Sequence, residues 1–178
     1  MKTFVTGIVL LCAAMPAFSQ GGFNGPGVYE ITNLQSKRLL AIDMNDRTSV
    51  VQLAPRNDDS ESWVIEPGPA GSLFIRSAIN GRALQVTSDA KNSHVVCARF
   101  DRSPAQQWRL APGKDGNPLI TSVANGKTLD IPDGTNRQVL IQIYDSNGDA
   151  NQRFTFRRVN EGRDRERSRR DRWDHDRP

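Results

Sequence analysis

Short apolar runs separated by Gly, Pro, Asn and Asp fill most of this chain. Val139, Ile141 and Ile143 form an alternating stretch that ends at the aromatic Tyr144; small and polar residues follow from Asp145 to Ala150, and the chain re-enters a strand through Asn151-Gln152-Arg153-Phe154. Period-two alternation bounded by turn residues predicts half-buried strands joined as hairpins. Val28-Tyr29-Glu30-Ile31 reads as the opening strand of the domain. Little in the chain has helical spacing, so the pattern predicts an all-β protein.

The strand pattern repeats. Ser36–Ile42, Asn80–Val86 and Asn125–Ile131 align, with Asn-Gly turns opening the second and third; such pairs suit the positive φ of tight hairpins. Glu61-Ser62-Trp63, Gln106-Gln107-Trp108 and Gln152-Arg153-Phe154 align in the same way. Between these two sets lies one further strand per unit, at Val50–Leu53, Val95–Ala98 and Val139–Ile143. Tyr29-Glu30-Ile31-Thr32, Leu73-Phe74-Ile75-Arg76 and Leu119-Ile120-Thr121-Ser122 align as the strand that opens each unit. Three units of about four strands are too few for a propeller, which needs at least about four blades. Three four-stranded units closing around a pseudo-threefold axis make a β-trefoil, with Trp63, Trp108 and Phe154 at equivalent core positions.

Composition refines this picture at the two ends. Lys2, the apolar run from Phe4 to Met15 and the small residues Ala17-Phe18-Ser19 predict a secretory signal peptide over 1–19, and hence a secreted or periplasmic protein. That run is too short to cross a bilayer, and Leu11 before Cys12 does not suit a lipoprotein anchor. A flexible, Gly-rich lead-in is expected over 20–27 and the domain over 28–159. From 160 to 178 charges of both signs alternate with almost nothing apolar, which predicts a disordered tail. The net charge of +4 comes partly from that tail and does not form a basic stripe with interleaved aromatics, so nucleic-acid binding is not expected. Only Cys97 remains after the leader, so no internal disulfide can form; it is expected to be a small core residue.

Candidate chemistry gathers in the third unit. Asp130, Gln142, Tyr144 and Asn151 supply a carboxylate, two amides and an aromatic ring within a short span. A carboxylate can accept from two adjacent hydroxyls, an amide both donates and accepts as a hydroxyl does, and an aromatic face can cover the C–H face of a sugar ring. Each group also has a plain structural role open to it, as a turn cap, a strand end or an outward polar side chain. His94 and His175 are the only histidines, and there is no His/Cys cluster, serine nucleophile elbow or phosphate loop. Asp145-Ser146-Asn147-Gly148-Asp149 departs from a calcium loop at Ala150 and Phe156. No metal, cofactor or catalytic residue is therefore expected.

The repeated Gln-x-Trp signature, Leu129-Asp130-Ile131 and the run from Ile141 to Phe154 resemble the ricin-type β-trefoil lectins, over about 130 residues from Val28 to Val159. The resemblance implies a shallow sugar site made of Asp130, Gln142, Tyr144 and Asn151, with Gln152 steadying the aspartate. It implies a non-catalytic lectin-like protein whose partner is a glycan or polysaccharide, galactose-like or xylan-type. The first two repeats depart from the pattern: Ala41 and Gln85 stand at the aspartate position, Ser60 and Ala105 at the asparagine position, and Ala54 and Arg99 at the aromatic position, with Phe100 one residue beyond. One site per chain is therefore expected, weak unless multivalent. A protein-binding trefoil with decayed sites, or an accessory module of a separate polysaccharide-degrading enzyme, remains the alternative.

Overall fold

The computed structural model describes residues 21–159. The leader expected at 1–19 and the charged tail expected at 160–178 lie outside the described residues. Repeat 1 contains β1 (Gly27–Asn33), β2 (Leu39–Ile42), β3 (Val50–Leu53) and β4 (Ser62–Pro67). Repeat 2 contains β5 (Leu73–Ser77), β6 (Ala83–Val86), β7 (Val95–Ala98) and β8 (Trp108–Ala111). Repeat 3 contains β9 (Leu119–Ser122), β10 (Thr128–Asp130), β11 (Val139–Leu140), β12 (Gln142–Tyr144) and β13 (Phe154–Arg158). Among the described residues the remaining regular elements are short 3-10 turns. The chain is an all-β trefoil.

The barrel wall follows from antiparallel pairing of the first and last strands of each repeat. β1 pairs β4, β4 pairs β5, β5 pairs β8, β8 pairs β9, and β13 returns to β1. The bridge Leu119↔Arg153 and the bond from Phe154 N–H to Pro118 C=O close the ring between β9 and β13. The inner pairs β2–β3, β6–β7 and β10–β12 are hairpins that cap one end. They meet near the pseudo-threefold axis, where Ile141 N–H donates to Val50 C=O (2.9 Å) and Val95 N–H donates to Ile141 C=O (3.0 Å). That double engagement interrupts the third strand of repeat 3 and separates β11 from β12.

The turn after each opening strand shows the repeat at the level of single bonds. Lys37, Gly81 and Gly126 each donate their N–H to the carbonyl of the residue four before, Asn33, Ser77 and Ser122. All three adopt positive φ, between 58° and 71°, a region that favours glycine. This register corrects one alignment. The opening strand of repeat 3 superimposes from Pro118 to Thr121, one residue earlier than the sequence suggests, because Ser122 rather than Val123 shares the turn role of Asn33 and Ser77. Ile31, Ile75 and Ile120 are then equivalent, and all three are buried.

The core joins residues from all three repeats. Leu40, Leu84 and Leu129 pack with Ile31, Ile75 and Ile120 around Trp63, Trp108 and Phe154. Trp63 Nε1 donates to Leu40 C=O at 2.8 Å and Trp108 Nε1 to Leu84 C=O at 2.9 Å, which satisfies both buried indoles. Phe154 keeps the ring and dispenses with the donor. Cys97 is also core, and burial pushes its thiol up to about 12, so it is held as the neutral thiol.

The lead-in expected to be flexible is instead packed on the domain from Gly21 onward, because an aromatic ring and backbone bonds tie it to the first and last strands. Phe156 N–H donates to Gly21 C=O, and Phe23 stacks against Tyr29 and Phe156 with ring centroids 5.4 and 5.5 Å away. Tyr29 Oη donates to Gly25 C=O at 2.8 Å. Gly22 has φ of +89°, and a Cβ there would come within 2.2 Å of the Phe156 carbonyl oxygen, so no other residue fits without backbone movement.

Trp108→Ala is expected to cost about 3–5 kcal/mol of unfolding free energy. Trp108→Phe is expected to cost less, because Phe154 already fills the equivalent place without an N–H. Urea titration of both variants beside the parent protein checks the order.

Candidate functional site

The turn before the last strand of each repeat is fixed by one buried side chain. Glu61, Gln106 and Gln152 sit two residues before Trp63, Trp108 and Phe154, and each accepts the backbone N–H groups of the residues five and four before it. Glu61 accepts from Arg56 at 2.7 Å and Asn57 at 3.0 Å; Gln106 from Asp101 at 3.0 Å and Arg102 at 3.2 Å; Gln152 from Asn147 at 2.9 Å and Gly148 at 3.4 Å. These N–H groups point inward in a loop with no strand partner, so a side-chain acceptor must satisfy them. The two glutamines use their amide nitrogen as well. Gln106 Nε2 donates to Gln85 Oε1 and Arg99 C=O; Gln152 Nε2 donates to Asp130 Oδ2 and Asp145 C=O. Glu61 has no N–H to give, and Ala41 stands at the position of Asp130.

In repeat 3 this turn lies beside the Asp130 carboxylate. Leu129 points into the core, so its neighbour Asp130 projects from the opposite face of β10, where it is 4% exposed. Gln142 is directly across the ladder from Asp130. Gln142 Nε2 donates to Asp130 Oδ1 at 2.8 Å; Asn151 Nδ2 donates to Oδ2 at 2.8 Å; Gln152 Nε2 donates to the same oxygen at 3.0 Å. Asn151 Nδ2 is also shared with Ile131 C=O. A buried carboxylate is costly unless hydrogen-bonded, and three amide donors supply that compensation. Because each of these amides gives its N–H to Asp130, its oxygen is turned the other way. Among the described residues Gln142 Oε1 and Asn151 Oδ1 take part in no other bond and remain acceptors for a hydroxyl.

Tyr144 flanks the cluster, half-buried, across the ladder from Thr128. The ammonium of Lys91 stands 5.6 Å from the centre of its ring. Lys91 belongs to repeat 2, and its loop is pinned to β12 by Asn92 N–H to Ile143 C=O (2.8 Å) and Ile143 N–H to Ser93 C=O (2.9 Å). At the rim, Lys127 Nζ lies 2.7 Å from Asp145 Oδ1. That bond and charge hold the Asp145 carboxyl below the ordinary range, with the Lys91 charge adding to the effect. All five residues singled out from the sequence, Asp130, Gln142, Tyr144, Asn151 and Gln152, therefore share one patch of repeat 3. Lys91 escapes sequence reasoning, because it is 53 positions from Tyr144 and nothing local links the two.

The same patch in the other repeats differs, and the ladder register corrects one equivalence. Leu40, Leu84 and Leu129 are opposite Gln52, Cys97 and Ile143. The aromatic position of Tyr144 thus corresponds to Leu53 and Ala98, one residue earlier than Ala54 and Arg99. In repeat 1 the equivalents of Asp130, Gln142 and Tyr144 are Ala41, Val51 and Leu53, which form a small apolar cluster buried to 0–3% exposure. β11 from repeat 3 pairs with β3 beside them. Gln52 is turned into the core position of Ile143 and Cys97, where its Nε2 binds Thr135 C=O and Arg137 C=O, both at 2.7 Å. In repeat 2 the set is Gln85, Val96 and Ala98, with Gln85 engaged by Gln106. Phe100 does not restore the missing aromatic there. It packs its ring against the edge of Phe74 at 5.0 Å, under the Arg76 guanidinium at 4.6 Å.

Comparison with known proteins agrees with this architecture. The family model described as ricin-type β-trefoil lectin domain-like matches residues 104–170. No curated protein matches the chain in sequence. Among solved structures, the designed threefold-symmetric protein ThreeFoil aligns with a TM-score of 0.71 and 21% identity, over 75% of this chain and 99% of that one. A ricin B-like lectin from Macrolepiota procera, solved in complex with lactose, aligns at 0.69 and 18% identity over 77% and 99%. An exo-β-1,3-galactanase from Clostridium thermocellum aligns at 0.68 and 22% identity, over 75% of this chain but 30% of the enzyme. At these identities the likeness is one of fold.

The acid at position 61 yields a test of the turn clamp. Burial raises the Glu61 carboxyl above its ordinary value, the two backbone N–H bonds opposing it. A folded-state value above the unfolded one means the native state binds the proton more tightly. Stability from this group is then greatest below the unfolded value and declines as pH rises through the raised folded value. Glu61→Gln is expected to stabilise the protein at pH 7, with the gain shrinking toward pH 4. Gln152→Glu is expected to do the reverse, placing a second carboxylate against Asp130 and destabilising more at pH 7 than at pH 4. Thermal melts of both variants across that range are the measurement.

Proposed function

We propose that this ricin-type β-trefoil domain is a secreted or periplasmic carbohydrate-binding protein, without catalysis of its own, that holds one sugar ring at repeat 3. The observation that supports it most is the Asp130 carboxylate, gripped at 2.8–3.0 Å by the amides of Gln142, Asn151 and Gln152 beside a half-buried tyrosine. Asp130 and the outward amide oxygens of Gln142 and Asn151 supply acceptors for adjacent ring hydroxyls, and Gln152 keeps the carboxylate aimed. Tyr144 covers the apolar face of the ring once Lys91 swings aside. A galactose-like ring is the primary ligand and a xylan-type chain the second. With one site, a millimolar constant corresponds to about −4 kcal/mol, so clustered glycans are needed for useful retention.

An accessory role beside a polysaccharide-degrading enzyme is a second form of the same reading. It is supported by the galactanase, in which the matching part is about a third of the chain.

Losing one charge-assisted hydrogen bond costs about 1.5–3 kcal/mol, roughly a factor of ten or more in affinity. Asp130→Ala is thus expected to abolish detectable sugar binding on a glycan array, and Tyr144→Ala to weaken it severely while leaving the melting temperature nearly unchanged. An array with no sugar-dependent signal from the parent protein would sink the reading. Lys91→Ala is expected to tighten binding of a neutral sugar by about two- to fivefold, because an exposed cation–ring contact of about 0.5–1 kcal/mol no longer has to be broken. Titration calorimetry with the best array ligand reads that change.

A further inference from the structure

The three repeats share a backbone and differ sharply in charge. Repeat 2, residues 73–111, carries six Arg and Lys against two Asp, whereas repeat 1, residues 28–67, carries four against seven acids. Equivalent positions fold equally well with either sign, so the trefoil itself does not demand this polarity.

Two of the arginines of repeat 2 converge on one aromatic. Phe100 lies half-buried on the loop after β7, its ring fixed by the edge of Phe74 at 5.0 Å. The Arg76 guanidinium stands 4.6 Å from the ring centre and that of Arg102 at 5.5 Å. Arg76 is held further by Glu66 at 3.0 Å and by Gly81 C=O at 3.0 Å. Arg102 is exposed, with its backbone in the left-handed region (φ 63°) and its N–H clamped by Gln106. Arg99 and Arg82 are exposed nearby, Arg82 next to Ala83, which pairs with Arg76. Among the described residues Arg82, Arg99 and Arg102 form no ion pair. Guanidinium forks match carboxylate and sulfate oxygens, and stacking on a ring pre-orders them.

We propose that repeat 2 carries a second binding surface, centred on Phe100 with Arg76, Arg82, Arg99 and Arg102, that takes the carboxylate or sulfate groups of an acidic polysaccharide. Phe100 is the structural hub that sets the guanidiniums, and the exposed arginines make the contacts. Charge complementarity selects the ligand. A polysaccharide is favoured over a nucleic acid because the Phe100 ring is already in contact with Phe74 and two guanidiniums, and a stacked base would have to displace them. This surface is independent of the neutral-sugar reading of repeat 3.

Affinity electrophoresis of the full chain through gels containing polygalacturonate, heparin, neutral galactan or single-stranded DNA tests it. The variants are Arg99→Gln/Arg102→Asn, in which Asn tolerates positive φ, and a control of equal charge change in repeat 1, Lys37→Asn/Arg56→Gln. The parent protein is expected to be retarded by at least one acidic polymer, with at least a tenfold weaker dissociation constant in Arg99→Gln/Arg102→Asn and less than a twofold change in the control. Equal weakening in both variants would assign the effect to net charge and overturn the site, as would no retardation by either acidic polymer. Equal or tighter binding of single-stranded DNA than of both acidic polymers would overturn the polysaccharide as partner. Asp130→Ala should leave acidic-polymer retardation intact, so loss of the repeat 3 reading does not carry this one with it.

Discussion

One hydrogen-bonding device underlies the domain: a buried side chain that accepts two successive backbone N–H groups from the loop just before it, through one amide oxygen at the glutamines and through both carboxylate oxygens at the glutamate. It occurs at Glu61, Gln106 and Gln152. Without it two amide donors per repeat would be buried and unpaired, each at a cost of about 1–3 kcal/mol. With it the loop closes in a fixed shape and delivers the aromatic two residues later into the core. The disulfide-free trefoil thus relies on three interior turns and the three rings they position.

The same device couples stability to chemistry in repeat 3. Gln152 has a donor to spare after its oxygen is occupied, and that donor goes to Asp130. The buried carboxylate is held by the amides of Gln142, Asn151 and Gln152, which keep it aimed. Repeat 2 retains the geometry with a neutral pair, Gln106 on Gln85. Repeat 1 has neither the donor nor the acceptor, and its patch has become a small apolar cluster beside a strand from repeat 3. Symmetry of the backbone leaves the side chains free to diverge.

The repeats also reach into one another. The loop carrying Lys91 is bonded to β12 of the next repeat, and Gln52 of repeat 1 holds the carbonyls of Thr135 and Arg137 in repeat 3. Each patch is therefore bordered by a segment from a neighbouring repeat, and its access and charge are set by residues far away in sequence. The concentration of arginines in repeat 2 is a further divergence laid over a common frame.

The order of strands, the threefold repetition and the equivalence of Trp63, Trp108 and Phe154 were legible in the sequence, because period-two alternation and turn residues are local signals and repeat identity multiplies them. The gathering of Asp130, Gln142, Tyr144, Asn151 and Gln152 was legible too, since hairpin geometry alone puts β10 and β12 face to face and returns the next turn beside them. Register was not. Whether Leu53 or Ala54 takes the place of Tyr144 depends on one residue of strand slip, and in a stretch such as Val-Val-Gln-Leu both faces are buried, so alternation carries no preference. The pairing of Leu40 with Gln52 decided it. Nor could sequence place Lys91 over the Tyr144 ring or gather Arg76 and Arg102 around Phe100, because those contacts arise only when three separate hairpins close around a common axis. Local periodicity fixed what each repeat is; closure of the barrel decided which side chains from different repeats share a surface.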